Sequence, residues 1–183
     1  MAMGKSKEPR AAKLFASLLF SEENLLKQGM EDLRQVFGEI DWISERSHFG
    51  FTDYYAREMG ETLFRHFITF EDLIAMERLP EIKGATNRLE ELHAAPGGTR
   101  QLNIDPGYVC LEHVILATTK GYSHRPYLRD GIYADLTLIY RNKSFQALEW
   151  TYPDYRREEV IGFFNQIRKR YRDDLKGGHD KPC

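Results

Sequence analysis

Leu14-Phe15-Ala16-Ser17-Leu18-Leu19-Phe20, followed at once by Ser21-Glu22-Glu23, is the stretch on which the fold turns. Seven nearly unbroken apolar positions suit a strand, and seven residues fall far short of the roughly 20 needed to cross a bilayer as a helix. The serine and two acids that follow predict a helix start, with Ser21 as N-cap and the glutamates in the first turn. Leu25, Leu26, Gly29, Met30, Leu33, Val36 and Phe37 then recur at helical spacing up to Gly38, which suits a left-handed C-cap. From Ile40 to Phe51 the residues turn β-prone again. The expected start is β-α-β, of the ferredoxin-like kind.

Outward from that start, Thr62 to Leu73 reads as a strand, although a short helix at Phe70 to Met76 fits as well. Pro80 opens a second helix with Ile82, Ala85, Leu89 and Leu92 as its buried stripe, ended by Pro96-Gly97-Gly98. Leu102-Asn103-Ile104 is a strand that Asp105-Pro106-Gly107 should interrupt, because this triplet has turn chemistry. Leu111, Val114, Ile115 and Thr118 fit a short third helix, with a strand as the alternative given their β-branching. Gly131 to Tyr140 alternates as a strand, and Arg141-Asn142-Lys143-Ser144 folds it back into a hairpin. Asp154 is a natural cap for the last helix, whose stripe is Val160, Phe164, Ile167 and Tyr171 and whose outer face carries Arg168, Lys169, Arg170 and Arg172.

The fold class is therefore α+β: one domain, 13–175, with a mainly antiparallel sheet packed with about three to four helices. Residues 1–12 and 176–183 are expected to be flexible ends. The chain's 183 residues, 42% of them hydrophobic, support one sizeable core. Twenty-six basic against 28 acidic residues give a net charge of -2, so no global field exists to attract nucleic acid or an anionic membrane. Cys110 and Cys183 make a poor disulfide framework, and the N-terminal MAMGKSKEPRAAK lacks an adjoining apolar run of signal-peptide type. A cytoplasmic protein is expected. Oligomeric state stays open.

Phosphate-loop, dinucleotide Gly-x-Gly-x-x-Gly, His-Glu-x-x-His and Gly-x-Ser-x-Gly signatures are all missing. Four weaker constellations remain. Lys120-Gly121-Tyr122-Ser123-His124-Arg125-Pro126-Tyr127 gathers three cations, a hydroxyl and two phenols in a loop suited to an anion. Its bland alternative is a solvated turn. Asp105 ends a strand where a base, a metal ligand or a ribose partner would sit, or where a turn simply wants an Asx residue. Tyr133 and Asp135 share one strand face, expected to be its wet side; Asp135 with Asp105, Glu112 and Glu149 gives enough carboxylates for Mg²⁺, although no spacing dictates such a site. Phe51-Thr52-Asp53-Tyr54-Tyr55 and Trp150-Thr151-Tyr152-Pro153-Asp154-Tyr155 offer stacking walls or core-edge packing. His48, His66, His93 and His113 show no ligand spacing.

Several of these segments, in order, resemble an uncharacterised prokaryotic family, the domain of unknown function numbered four-four-one-six. The motifs are Lys13-Leu14-Phe15 through Leu19-Phe20-Ser21, Phe51-Thr52-Asp53-Tyr54-Tyr55 with Glu58-Met59-Gly60, and Asn103-Ile104-Asp105-Pro106-Gly107-Tyr108. Ala117-Thr118-Thr119-Lys120, Tyr122-Ser123-His124-Arg125, Gly131-Ile132-Tyr133-Ala134 and Trp150-Thr151-Tyr152-Pro153-Asp154-Tyr155-Arg156 complete the set. The resemblance spans roughly Lys13 to Tyr171 and departs at Cys110, Pro126 and Asp135. Members are sometimes labelled GTP-binding, and the resemblance implies a single domain without assigning catalytic roles.

The functional expectation is a small-ligand domain for a phosphorylated or nucleotide-like anion, with Mg²⁺ compatible and phosphoryl or nucleotidyl chemistry the first class to consider. Lys120, His124, Arg125 and Arg65 would hold the charge, with Ser123 as a further ligand contact. Tyr54, Tyr108, Tyr133 and Tyr152 would form walls, His124 or Asp105 would act as acid–base, and Asp105 with Asp135 would take a metal. The competing expectation is a noncatalytic module that meets a protein or RNA partner through the basic face of its last helix.

Overall fold

The computed structural model describes residues 4–50, 56–60 and 62–176. The apolar opening stretch is strand β1 (Ala12–Phe20), and every one of its residues is buried. Such a run needs cover on both faces, which its position explains. It lies between β4 (Leu63–Ile74) and β5 (Leu102–Val109) in a nine-stranded sheet of order β2-β4-β1-β5-β6-β8-β7, with β2 (Ile40–Ile43), β6 (His113–Thr118), β7 (Tyr127–Arg129) and β8 (Ile132–Arg141). The short β3 (Ser47–Phe49) pairs with β4, and β9 (Ser144–Ala147) with β8. All pairings are antiparallel.

On one face, α1 (Glu23–Phe37) and α3 (Leu79–Leu92) cover Leu14, Ala16, Leu18 and Phe20 with Leu26, Met30, Leu33 and Ile82. On the other, α4 (Glu158–Lys176) packs Phe163, Phe164 and Ile167 against Phe15, Phe67 and Val109. A single turn, α2 (Ala56–Met59), adds Met59 to a small cluster with Leu19, Phe49 and Leu63. The α+β class and the β-α-β start hold: β1 and β2 run parallel with β4 between them, the split form of the motif. None of the described helices is long and apolar enough to cross a membrane.

Some local expectations need correction. The N-cap of α1 is Glu22, not Ser21, and it makes no side-chain cap bond. Residues 63–74 form one strand throughout. The stripe of α3 ends early: Leu92 is exposed, and the helix stops there, ahead of Pro96. Asp105-Pro106-Gly107 is no turn but the middle of β5. Pro106 is tolerated because β6 begins to pair only at Gly107, leaving β5 a free edge before it. Residues 113–118 are a strand, not a helix, since β-branched Val114 and Ile115 find partners on both sides.

The hairpin after β8 is as expected, with Asn142 and Lys143 both at positive φ. The strict alternation of β8 is not. A register shift between Val114 and Ile115 opposite Leu136 and Leu138 leaves Thr137 as the extra residue, and Leu138 joins the α4 side while Ala134 and Leu136 stay on the α3 side. Asp135, expected on a wet face, is buried, as is Thr137. Asp154 does not cap α4. It sits in a 3₁₀ turn, Pro153–Arg156, and is buried.

Candidate functional site

The β5–β6 ladder joins only Gly107 with Leu116, Tyr108 with Ile115 and Val109 with Val114, although β5 reaches back to Leu102 and β6 runs on to Thr118. Beyond those three pairs the strands part, and there a cavity of about 870 Å³ opens. Asn103 and Asp105 line it from β5, Ala117 and Thr118 from β6, and Lys83 and Glu90 reach it from α3.

Parting the strands leaves β5 backbone groups in need of partners, and α3 supplies them. The Ile104 amide donates to Glu90 Oε1 at 2.6 Å, and Lys83 Nζ donates to the Ile104 carbonyl at 3.1 Å. The same Nζ donates to Asp105 Oδ1 at 3.2 Å, while Asn103 Nδ2 donates to Asp105 Oδ2 at 2.7 Å. Arg100 closes a ring, donating from Nη1 to Asn103 Oδ1 at 2.7 Å and placing Nε 3.5 Å from Glu90 Oε2. Burial pushes the Glu90 carboxyl up to about 7, against the pull of Lys83 and the Ile104 amide. Asp105 feels the same burial, but Lys83 and the Asn103 amide outweigh it and hold its carboxyl below the ordinary value.

Arg65 forms the adjoining wall. It projects from β4 toward the α4 side, its guanidinium 4.5 Å from the centre of the Phe49 ring and 5.4 Å from that of Tyr155, and it pairs with Asp154. Burial raises the Tyr155 phenol far above its usual range. The third wall is built on Arg125, which donates from Nε to Asp135 at 2.7 Å, from Nη2 to the Tyr152 hydroxyl at 2.7 Å and from Nη1 to the Lys120 carbonyl at 3.0 Å. His124 stacks on Trp150, ring centres 5.1 Å apart, with Nε2 3.6 Å from Asp135.

Of the residues singled out from the sequence, Arg65, Asp105, Lys120, Asp135 and Tyr152 line this one cavity. Arg125 and His124 stand behind its wall, bound to or facing Asp135. Ser123 is exposed in the same loop. Tyr133 lies edge-on to Tyr127, ring centres 5.3 Å apart, and is not among the lining residues. Tyr108 points to the opposite side of the sheet, packed with the α1 and α3 cores, where burial lifts its phenol to about 12. Tyr54 lies outside the described residues. Among the described residues no three His, Cys, Asp or Glu side chains gather as a metal cluster; Asp105 is committed to Lys83 and Asn103, and Asp135 to Arg125.

Sequence reasoning missed Lys83, Glu90, Arg100 and Asn103. Lys83 and Glu90 are seven apart on α3, two turns along one face, which alone reads as an ordinary solvated stripe. Only the parting of β5 from β6 turns that face inward.

A protein-family model described as Domain of unknown function (DUF4416) matches residues 10–171, an interval that holds every residue lining the cavity. No curated protein and no solved structure matches the chain.

Proposed function

The chain belongs to the family described as Domain of unknown function (DUF4416), and from its cavity we propose that it binds a small phosphorylated or nucleotide-like anion that also carries hydroxyl or amine donors. One observation carries this reading: Arg65, Lys83, Arg100 and Lys120, from four separate segments, line a single cavity together with carboxylates and amides. Burying charge is costly, and a fold that needed only stability would fill such a space with apolar side chains. Lys83 and Arg65 are each only 6% exposed, yet both belong to the cavity wall. The ligand's negative charge belongs near Lys120 and the Thr118-Thr119 segment, and its donors near Asp105 and Asn103. Tyr152 at the rim supplies an aromatic edge.

The alternative of a basic helix face for a protein or RNA partner has less in its favour. Arg168 donates to the Leu111 carbonyl at 2.7 Å and lies 3.4 Å from the centre of the Tyr140 ring, while Arg170 lies 4.0 Å from that of Trp42. Two of the four cations are thus engaged in packing the helix onto its own sheet.

Thermal denaturation with ADP, GTP, ribose 5-phosphate and pyrophosphate, each with and without Mg²⁺, tests the reading. A ligand at about 100 times its Kd adds about 2.7 kcal/mol, a rise in Tm of roughly 5–10 °C for a domain of this size. Lys120→Ala should cut the effective affinity about tenfold or more, the worth of one charge-assisted contact. No rise with any member of the panel refutes the proposal.

A further inference from the structure

We infer that anion binding in this cleft is coupled to protonation of Glu90, which takes one proton from solvent as negative charge enters the cavity bordered by the ring of Lys83, Glu90, Arg100, Asn103 and Asp105. The inference rests on the reading of the cavity as an anion site and states how that site is regulated.

The argument starts from the ring's charges. Lys83 and Arg100 are its cations, Asp105 and Glu90 its acids. With both acids ionised the ring is neutral and offers an anion no net attraction. With Glu90 neutral it carries one positive charge, facing the cavity. Asp105 is the wrong acid to change state, since Lys83 and Asn103 both donate to it. Glu90 is the less firmly held one: among the described residues its ion-pair contact is Arg100 Nε at 3.5 Å, its side chain is 9% exposed, and the Ile104 amide donates to it. That amide bonds an acid and an ionised carboxylate alike, so the strand edge stays satisfied in both states.

The groups that face Glu90 come from each element around it. Lys83 lies on its own helix, Asp105 on β5 and Arg100 on the segment leading into β5. Glu58 of α2 faces Arg100 at 3.9 Å and draws part of its charge away from Glu90. Burial disfavours the charged form of Glu90 and lifts it to about 7, so the change falls where both states are accessible near neutral pH. A carboxyl placed only to hold a backbone amide would show no link between its ionisation and the occupancy of the cavity.

The test is calorimetric titration of the full chain with ADP and with ribose 5-phosphate, in two buffers of different ionisation enthalpy, from about pH 6 to 8. Glu90→Gln serves as the permanently neutral isostere, and its comparison with wild type cancels the ligand's own phosphate ionisation. Wild type should take up close to one proton on binding at pH 8 and lose affinity by up to about tenfold per pH unit above 7 relative to Glu90→Gln. At pH 8 the variant should bind more tightly than wild type. Parallel pH profiles for the two proteins overturn the inference while leaving the anion site in place. Absence of binding by either ligand to either protein overturns the inference and the anion site together.

Discussion

The guanidinium of Arg65 and the carboxylate of Asp154 meet as an ion pair across 89 residues of chain, their side chains only 7% and 8% exposed. The pair ties β4 to the 3₁₀ turn that leads into α4, beside the cavity. Removing one partner strands the other charge in a ring of aromatics. Arg65→Ala or Asp154→Ala should each cost about 3–5 kcal/mol, read as a lower urea midpoint at unchanged slope. The double change Arg65→Met with Asp154→Leu should recover most of that loss. A double-variant loss as large as the sum of the two single losses would show that the pairing itself contributes little.

Glu90 makes stability depend on pH in a direction unusual for a carboxylate. Its folded value of about 7 lies above the ordinary 4.5, so the folded state holds the proton more tightly than the unfolded chain. The stabilisation is complete below about pH 4.5 and is lost as pH rises through 7, amounting to about 3 kcal/mol. Glu90→Gln lacks this loss, so its stability relative to wild type should climb between pH 5 and 8 when urea unfolding is followed across that interval. A constant difference would refute the assignment.

Two glycines should respond to alanine in opposite ways. At Gly107 a Cβ would stand 2.3 Å from the Ile115 carbonyl oxygen and 2.7 Å from the Phe15 ring, so Gly107→Ala should cost about 3 kcal/mol. Gly84 is inside α3, and a Cβ there meets nothing closer than Arg88 Nη1 at 3.6 Å. Gly84→Ala should add up to about 1 kcal/mol from helix propensity. Thermal denaturation of the two variants separates these outcomes.

Arg125 is the clamp of the third wall. Arg125→Ala deprives the buried Asp135 and the Tyr152 hydroxyl of a shared donor, and should cost about 3 kcal/mol. Arg125→Lys, which lacks the planar fork, should fall between alanine and wild type. Limited proteolysis should cut the segment from Lys120 to Pro126 faster in both variants, because the bond to the Lys120 carbonyl is lost or weakened. An unchanged cleavage rate would show that other contacts hold the loop.

The local elements were legible where their signals are local. The apolar run of β1, the stripe of α1, the turn at Asn142-Lys143 and the stripe of α4 each lie within a few residues of what defines them. Part of the cavity wall was legible too, because Asp105, Lys120, Asp135 and Tyr152 stood in polar or aromatic clusters. Glu90 and Lys83 were not, since a charged pair on one helix face looks the same whether that face meets water or a parted sheet.

The sequence by itself determined the α+β class, the β-α-β start and the apolar faces, because periodicity and turn chemistry act between neighbours in the chain. Tertiary structure decided that 113–118 is a strand, that Asp105-Pro106-Gly107 runs straight through β5, and that Asp135 and Asp154 are buried. Those outcomes depend on which distant strand lies alongside and on where its ladder ends. A ladder that stops after three pairs opens the cavity, and no property of either strand taken alone states where the pairing will stop.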